Sequence, residues 1–291
     1  MLEGRIVKGV GGLYFIKTSQ GIIKSRARGV FRIENRTPLI GDLVTIRISE
    51  EDNMGYIIDI KERKTELLRP PVANITKAIV VMSVKDPDIN TWLLDKFLLM
   101  AEYENLHTLI VFNKSDLDSE RSGKLKEIYE KAGYEVIITS TTLNKGIDEV
   151  RKHLQNNISV FAGPSGVGKS SLLNMIDARL KLETGDISSK SKRGKHTTRH
   201  IELLDLDENS FVLDSPGFSS LNLDFIDDES EVRNYFREIH EYGRNCKFQS
   251  CLHNKEPGCA VKSAVENDDI DNNRYANYLL LLEEVKNIRR Y

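Results

Sequence analysis

Long apolar runs are missing from this chain of 291 residues. No segment approaches the roughly 18 consecutive apolar residues that a membrane-spanning helix needs. The N-terminus carries Glu3, Arg5 and Lys8 where a secretory signal would have its apolar core. We therefore expect a cytoplasmic protein that has no membrane partner.

Cysteine is scarce as well. The only three are Cys246, Cys251 and Cys259, and an odd number cannot be paired completely within one chain. Together with His253 they form the pattern C-x4-C-x-H-x5-C, and three thiolates with one imidazole suit a closed, tetrahedral structural zinc site. We predict one zinc bound by these four side chains. The alternative is that the cysteines are simply buried.

Neither sign of charge is in excess, since 42 Lys and Arg stand against 44 Asp and Glu. The clearest local basic row alternates with apolar and small residues along one predicted strand: Lys24, Arg26 and Arg28 against Ile23, Ser25 and Ala27. Residues two apart in a strand share a face. Such a row favours contact with nucleic-acid phosphates, and an ordinary solvated strand face is the alternative.

The predicted secondary structure changes in character twice along the chain. Five short strand-like runs between residues 4 and 65, separated by turn residues, predict a small antiparallel barrel of the OB type. From residue 75, buried strands alternate with helices, which predicts a parallel doubly wound sheet. After residue 222 a helix over 227–243 and a closing amphipathic helix are predicted, the latter with these residues inward: Tyr275, Tyr278, Leu279, Leu282 and Val285.

The segment GPSGVGKSS follows a predicted strand, precedes a predicted helix and fits the pattern G-x-x-x-x-G-K-[ST]. Backbone N–H groups of such a loop surround a phosphate, Lys169 neutralises the β- and γ-phosphate oxygens, and the Ser170 hydroxyl ligates Mg²⁺. We predict nucleotide contacts along the whole loop: Gly163, Pro164, Ser165, Gly166, Val167, Gly168, Lys169, Ser170 and Ser171.

The segment NKSD, residues 113–116, follows an earlier buried strand. The Asp116 carboxylate can accept hydrogen bonds from guanine N1–H and the exocyclic amine, a donor pair that adenine lacks. Asn113 and Lys114, with Ser115 beside them, would hold the loop and cover the base. Backbone support for the guanine oxygen is expected from the segment TST after the next strand, at Ser140 and Thr141.

The segment FVLDSPGF supplies a third element. Asp214 can reach Mg²⁺ through water, and the Gly217 N–H can meet the γ-phosphate. The basic segment before it contains Thr197 and Thr198, either of which could complete the magnesium shell, and Thr198 is our choice of the two.

The motifs NKSD, TST, GPSGVGKS, HTT and DSPG stand in an order that is a cyclic rotation of the order in ordinary GTPases. With the barrel and the Cys/His cluster, the whole chain resembles the bacterial ribosome small-subunit-dependent GTPase A family of circularly permuted GTPases. The resemblance implies an OB-like RNA-binding barrel over 1–68, a permuted P-loop GTPase domain over 69–222 and a mainly helical zinc-binding domain over 223–291. It also implies GTP hydrolysis stimulated by the small ribosomal subunit, contact with its rRNA, and a role in late maturation of that subunit; we expect a monomer.

Phe218 occupies the position at which many GTPases have a glutamine that orients the attacking water. Intrinsic hydrolysis should therefore be slow. Our hypothesis is that the ribosomal partner orders residues 188–200 and brings His196 or His200 to the γ-phosphate. The histidines could instead belong only to a basic loop. Two other functions stay open: a zinc protein that binds nucleic acid and only senses GTP, and an ATP-dependent RNA remodelling enzyme, which Asp116 disfavours.

Overall fold

The computed structural model describes residues 1–29, 31, 36–68, 71–183, 202–214 and 222–288. None of the helices in these ranges is long and apolar enough to cross a membrane. The chain forms two compact units. The first comprises Met1–Lys77, Arg151–Phe161 and, of Ser188–Phe218, the described residues 202–214. The second comprises Ala78–Val150 and the described parts of Ala162–Ile187 and Ser219–Tyr291.

Five strands of the first unit close into a barrel: β1 (Leu2–Val10), β2 (Leu13–Thr18), β3 (Gly21–Ala27), β4 (Leu43–Ile48) and β5 (Gly55–Ile60). They pair in the circuit β1-β2-β3-β5-β4-β1. Aliphatic side chains that are almost fully buried fill the interior: Ile6, Ile16, Val44, Ile46, Ile57 and Ile60. The predicted OB-like barrel is confirmed. One pair, β3 with β5, is parallel because β4 pairs with β1 and returns β5 alongside β3.

The basic row lies on β3 and just beyond it. Lys24, Arg26 and Arg28 are exposed, and Ser25 between them is fully buried. The alternation predicted from the sequence is therefore present. A small hairpin of β6 (Glu66–Leu68) and β7 (Pro71–Ala73) follows the barrel and bridges to it through Val72 and Ile40.

Three strands of the second unit lie in the order β10-β9-β8: β8 (Lys77–Ser83), β9 (His107–Asn113) and β10 (Glu135–Ile138). Helices α1 (Thr91–Tyr103) and α2 (Ser119–Lys131) connect them, and α3 (Ile147–Leu154) follows β10. Asn90 and Asp118 start the two connecting helices by accepting hydrogen bonds from the backbone N–H groups of Leu93 and Arg121. β9 and β10 are parallel, so their carboxyl ends meet at one edge, where such sheets bind ligands.

The next elements in the chain are β11 (Ile158–Ala162), α4 (Lys169–Ile176), β12 (Glu202–Asp205) and β13 (Phe211–Asp214). β13 runs parallel to β11 and antiparallel to β12. β12 also pairs with β1, where Lys8 lies opposite Glu202 and their side chains form an ion pair of 2.6 Å. Lys17 of the barrel lies 5.0 Å from the centroid of the Phe211 ring. Within the first unit, the barrel and the β12–β13 hairpin thus form one continuous sheet.

The C-terminal region is helical. It contains a 3₁₀ helix (Glu229–Tyr235), α5 (Arg237–Gly243), α6 (Ala260–Glu266) and α7 (Asn272–Ile288). The single helix predicted over 227–243 is wrong, because the structure divides it at Phe236, whose backbone is extended. The Phe236 ring is buried edge-on against Tyr278, and the break turns it into the core.

A buried arginine joins α7 to two other helices of the second unit. Arg274 donates to Asp95 of α1 at 2.5 Å and, through two nitrogens, to Glu238 of α5 at 2.8 and 2.9 Å. Asp95 also accepts hydrogen bonds from Tyr129 and Asn277. Burial raises the pKa of Asp95, and the charge of Arg274 opposes that rise. All three charged groups are buried, so each depends on the others for its solvation.

Candidate functional site

The loop between β11 and α4 has a backbone that requires glycine at two of its positions. Gly163 has φ +134°, and a Cβ there would lie 2.1 Å from the Val81 carbonyl oxygen. Gly168 has φ +96°, and a Cβ there would lie 2.4 Å from Nδ2 of Asn113. Both positions combine positive φ with close contact, so side chains are excluded for two independent reasons. The sequence pattern G-x-x-x-x-G-K-S therefore reflects a real constraint on this loop.

The loop ends at the N-terminus of α4. Gly168 is the N-cap residue and has no side chain to cap the helix, so the N–H groups of the first turn can face an anion. Lys169 donates to the carbonyl oxygens of Gly163 and Pro164, each at 2.7 Å. Burial lowers the pKa of Lys169. A phosphate at this position would give the ammonium the counter-charge that carbonyl groups only partly provide.

The other predicted phosphate-loop residues precede or follow Lys169 at the N-terminus of α4. Val167 is buried, whereas Ser165 and Gly166 are exposed. Ser170 and Ser171 lie in the first turn of α4 and are half-buried. The Ser170 hydroxyl therefore follows Lys169 at the start of the helix, and a hydroxyl oxygen is the kind of ligand that Mg²⁺ accepts.

Asn113, at the end of β9, connects two loops that are distant in sequence. Its Nδ2 donates to the Val167 carbonyl at 2.9 Å, and its Oδ1 accepts from the Thr139 hydroxyl at 3.1 Å. The side chain is fully buried. The structure thus brings NKSD, the segment 139–141 and the phosphate loop together within the second unit, as a single nucleotide site requires.

Asp116 is exposed beside this junction. Its Oδ1 accepts a hydrogen bond of 2.5 Å from the Ser140 hydroxyl, which in turn accepts from the Leu143 N–H. Ser140 is fully buried and so fixes the carboxylate. An oriented carboxylate in reach of solvent can accept both guanine donors, and a base without that donor pair would leave Ser140 as its partner and the other acceptor positions unfilled.

The remaining members of these loops have structural partners. Ser115 is buried, and its N–H donates to the Thr139 carbonyl at 3.1 Å. Lys114 has φ +61° and donates to the Asp86 carbonyl. Thr141 is half-buried next to Ser140. The loop that contains Asp86 had no signal in the sequence, because a backbone carbonyl can accept a hydrogen bond whatever the residue type.

Several residues considered for catalysis lie outside the described ranges: His196, Thr197, Thr198, His200 and Gly217. Phe218, which stands where many GTPases have the glutamine, also lies outside them. The backbone of Asp214 ends β13, opposite Glu202 in the register of that hairpin.

The four predicted metal ligands come together in the C-terminal region. The ligand atoms of Cys246, Cys251, His253 and Cys259 all lie within 4.8 Å of one another. The distance from Nδ1 of His253 to the sulfurs of Cys246 and Cys259 is 3.4 Å in each case, and those sulfurs are 3.8 Å apart. Tetrahedral zinc with bonds of about 2.0–2.3 Å needs ligand atoms at such separations, so the residues fit this metal.

The imidazole of this cluster is in the form that binds a cation. Burial lowers the pKa of His253 to about 4, so its imidazole is neutral and able to ligate. Burial raises the pKa of Cys251 to about 12 in the absence of a metal, and a bound divalent cation would reverse that shift by favouring the thiolate.

Supporting residues of the cluster went unrecognised in the sequence. Tyr275 and Tyr278 of α7 donate to the carbonyl oxygens of His253 and Leu252, at 2.6 and 2.8 Å. The Glu256 carboxylate accepts from two backbone N–H groups in the same loop. The helical pattern assigns these tyrosines only to the apolar core, although a buried phenolic hydroxyl usually has a hydrogen-bond partner.

Comparison with protein families bears directly on this arrangement. The model of the RsgA GTPase family matches residues 60–224, and that of the RsgA N-terminal domain matches residues 3–57. The chain belongs to the RsgA GTPase family. The matched ranges include nearly all of the barrel and both nucleotide loops, while the Cys/His cluster lies beyond them.

Similar proteins cover nearly the whole chain. The small ribosomal subunit biogenesis GTPase RsgA of Caldanaerobacter subterraneus subsp. tengcongensis is 47% identical over 98% of this chain and 96% of its own length. The protein of the same name from Alkaliphilus metalliredigens is 46% identical over the full length of both. Two crystal structures are also similar. The structure of YloQ, a circularly permuted GTPase, has a TM-score of 0.82 and 37% sequence identity, and the match covers 99% of this chain and 96% of YloQ. The structure of YjeQ from Thermotoga maritima has a TM-score of 0.84 and 36% sequence identity, and the match covers 98% of each chain.

These similarities and the geometry agree on the fold and the enzyme class. The chain is a circularly permuted RsgA-family GTPase with a five-stranded N-terminal barrel and a C-terminal Cys/His cluster. Its enzymatic activity is that of a GTP hydrolase.

Proposed function

We propose that this RsgA-family protein hydrolyses GTP when it binds the small ribosomal subunit, and that it acts late in maturation of that subunit. The observation that best supports GTP binding is the hydrogen bond from Asn113 to Val167, because it joins the proposed guanine-recognition loop to the phosphate loop. The association with the small subunit is supported by the name of relatives that match the chain over almost its whole length.

Each predicted site residue has a role in this proposal. Asp116 selects guanine, with Asn113 and Lys114 holding its loop and Ser115, Ser140 and Thr141 supporting it. The segment from Gly163 to Ser171 binds the phosphates, with Lys169 as the main cation. Asp214 and Gly217 respond to the γ-phosphate, as the corresponding switch segments of GTPases do.

Magnesium and zinc have different tasks. The Ser170 hydroxyl, with Asp214 and Thr198, would hold Mg²⁺ together with GTP, and the ion would supply charge neutralisation at the phosphates. Zinc at the cluster of Cys246, Cys251, His253 and Cys259 is structural, because four protein ligands leave no open position.

Each proposed domain has its own binding function. Residues 1–68 contact rRNA through the exposed row of Lys24, Arg26 and Arg28, which suits phosphate contacts that position a protein without reading sequence. Residues 69–222 bind GTP or GDP, and residues 223–291 form the zinc-binding domain. We propose that the protein acts in the cytoplasm as a monomer.

The decisive experiment measures GTP hydrolysis by the purified protein with purified small ribosomal subunits added or omitted. We expect slow intrinsic turnover and a large stimulation, since a missing catalytic group supplied by a partner can change the rate by about 10³ to 10⁵. Equal rates with and without subunits would contradict the proposed dependence on the ribosome.

Guanine selection is tested separately. Competition between GTP and ATP for binding, measured for the native protein and for Asp116→Asn, should show a strong preference for GTP that the substitution weakens. A variant that retains the full preference would remove Asp116 from the proposed role.

Another group must position the attacking water, because the Phe218 side chain cannot form a hydrogen bond with it. We assign this role to His196, with His200 as the other candidate. Single-turnover hydrolysis by His196→Ala and His200→Ala, with and without small subunits, decides between them, and unchanged stimulated rates in both variants would exclude a catalytic histidine.

A further inference from the structure

Phe248 lies in the loop between two of the predicted zinc ligands. Among the phenylalanine, tyrosine and tryptophan residues that the structure describes, it alone is exposed, with 42% of its surface accessible. A single exposed apolar side chain is normal on a protein surface. The exposure of Phe248 alone therefore does not indicate a binding site, and the backbone and charges around it decide whether one is present.

The backbone of this loop is held in place. The Phe248 carbonyl accepts a hydrogen bond from the Cys251 N–H at 3.2 Å. Arg233 donates through one nitrogen to the carbonyl oxygens of Gln249 and Cys251, each at 2.9 Å. The loop thus holds an aromatic ring in solvent on a fixed backbone. A rigid aromatic side chain of this kind loses little conformational entropy when a partner covers it.

Two arginine side chains line a groove of about 230 Å³ beside the ring. Its lining includes Arg233, Arg244 and Phe248, together with two of the predicted zinc ligands, and contains neither aspartate nor glutamate. The Lys247 ammonium lies 5.5 Å from the centroid of the Phe248 ring. An ammonium at that distance can cover one ring face at most, so the ring offers a stacking surface next to cationic side chains.

We propose that this groove binds an unstacked nucleotide of single-stranded RNA, with the base on the Phe248 ring and the flanking phosphates against Lys247 and Arg244. Aromatic rings bordered by cations bind single strands in this way, and every base offers a face for stacking. The groove is smaller than the roughly 300–1,000 Å³ of small-molecule pockets, which suits one nucleotide that extends from a longer chain. The inference rests on the proposed function, which supplies RNA as the partner.

The test uses the full-length protein and two labelled probes, a single-stranded decamer of uridine and an A·U duplex of the same length. Phe248→Ala should weaken binding of the single strand about ten-fold, as expected for loss of one stacked base, and change binding of the duplex less than about two-fold. Phe248→Trp should bind as well as the native protein. Leu280→Ala is the matched control, because Leu280 is an exposed apolar residue of α7 outside the groove.

Salt dependence separates stacking from phosphate contact. Lys247→Ala should reduce the slope of log affinity against log salt concentration by about 0.7, the value for one phosphate of a single strand, and Phe248→Ala should leave the slope unchanged. A uridine decamer that contains 4-thiouridine should crosslink, on irradiation, within residues 245–250. Unchanged affinity of Phe248→Ala for the single strand would overturn the inference, and so would an equal loss for duplex and single strand or the absence of a crosslink in this loop.

Stimulation of GTP hydrolysis distinguishes this inference from the proposed function. If small subunits stimulate the native protein but Phe248→Ala binds RNA normally, the groove is not an RNA-binding site and the proposed function stands. If small subunits do not stimulate the native protein, the proposed function fails, and the RNA measurements still decide the role of the groove.

Discussion

Replacing Arg274 by methionine tests the buried ion cluster of the second unit. Arg274 is 2% exposed, and its partners Asp95 and Glu238 are 0% and 7% exposed. Arg274→Met removes the positive charge and leaves two carboxylates buried without it. Breaking a buried ion pair in this way costs about 3–5 kcal/mol. At about 2–4 °C per kcal/mol for a unit of this size, the melting temperature should fall by roughly 6–20 °C.

The loss of stability should depend on pH in a defined direction. Burial raises the pKa of Asp95, and removal of Arg274 raises it further, since the arginine favours the charged carboxylate. The folded variant then binds a proton at a higher pH than the unfolded chain does. Its stability therefore improves as the pH falls from that raised pKa towards the ordinary value of about 3.9. The difference from the native protein should be smaller at about pH 5.5 than at pH 8.

The assay is unfolding followed by fluorescence of Trp92, which is the only tryptophan and lies in the same helix as Asp95. Arg237→Met is the control. Arg237 forms an ion pair of 2.7 Å with Glu102, but both side chains are partly exposed, so the expected cost is about 1 kcal/mol or less. Equal effects of the two substitutions, or a loss for Arg274→Met that grows as the pH falls, would refute the reasoning.

Three further predictions concern the nucleotide site and the metal cluster. Gly168→Ala should reduce GTP affinity at least about ten-fold, because its Cβ would lie 2.4 Å from Nδ2 of Asn113; equal affinity by calorimetry would contradict the described loop. Cys251→Ser should bind less than one zinc per chain by atomic emission and melt at a lower temperature, whereas an unchanged metal content would exclude this cysteine as a ligand. Hydrogen exchange over 223–288 should differ between the GTP and GDP states, because the chain enters this region directly after the proposed γ-phosphate switch, and identical exchange would count against that connection.

The sequence predicted best where a local pattern determines the structure. Lys24, Arg26 and Arg28 are exposed and Ser25 is buried because side chains alternate along a strand. The phosphate loop needs glycine at positions whose φ is positive, so residue type alone identified the loop. The barrel likewise followed from short strands separated by turns.

Prediction failed where a distant partner determines the structure. The inward face predicted for the last helix included Leu279 but not Arg274, because a helical pattern assigns charged residues to solvent. Arg274 is buried only because Asp95 and Glu238, far away in sequence, neutralise it. The break at Phe236 has a similar origin, since Tyr278 lies forty-two positions further along the chain.

The pairing of β1 with β12 has a consequence for shortened versions of the chain. A chain that began after residue 68 would lack the strand beside β12, so the backbone groups and the Glu202 carboxylate on that side would face water. Phe211, which is now 2% exposed with Arg5 and Lys17 over its ring, would lose both covering side chains. An uncovered strand edge next to an apolar ring is a site for self-association, so we expect the nucleotide-binding region to aggregate when it is produced without its barrel.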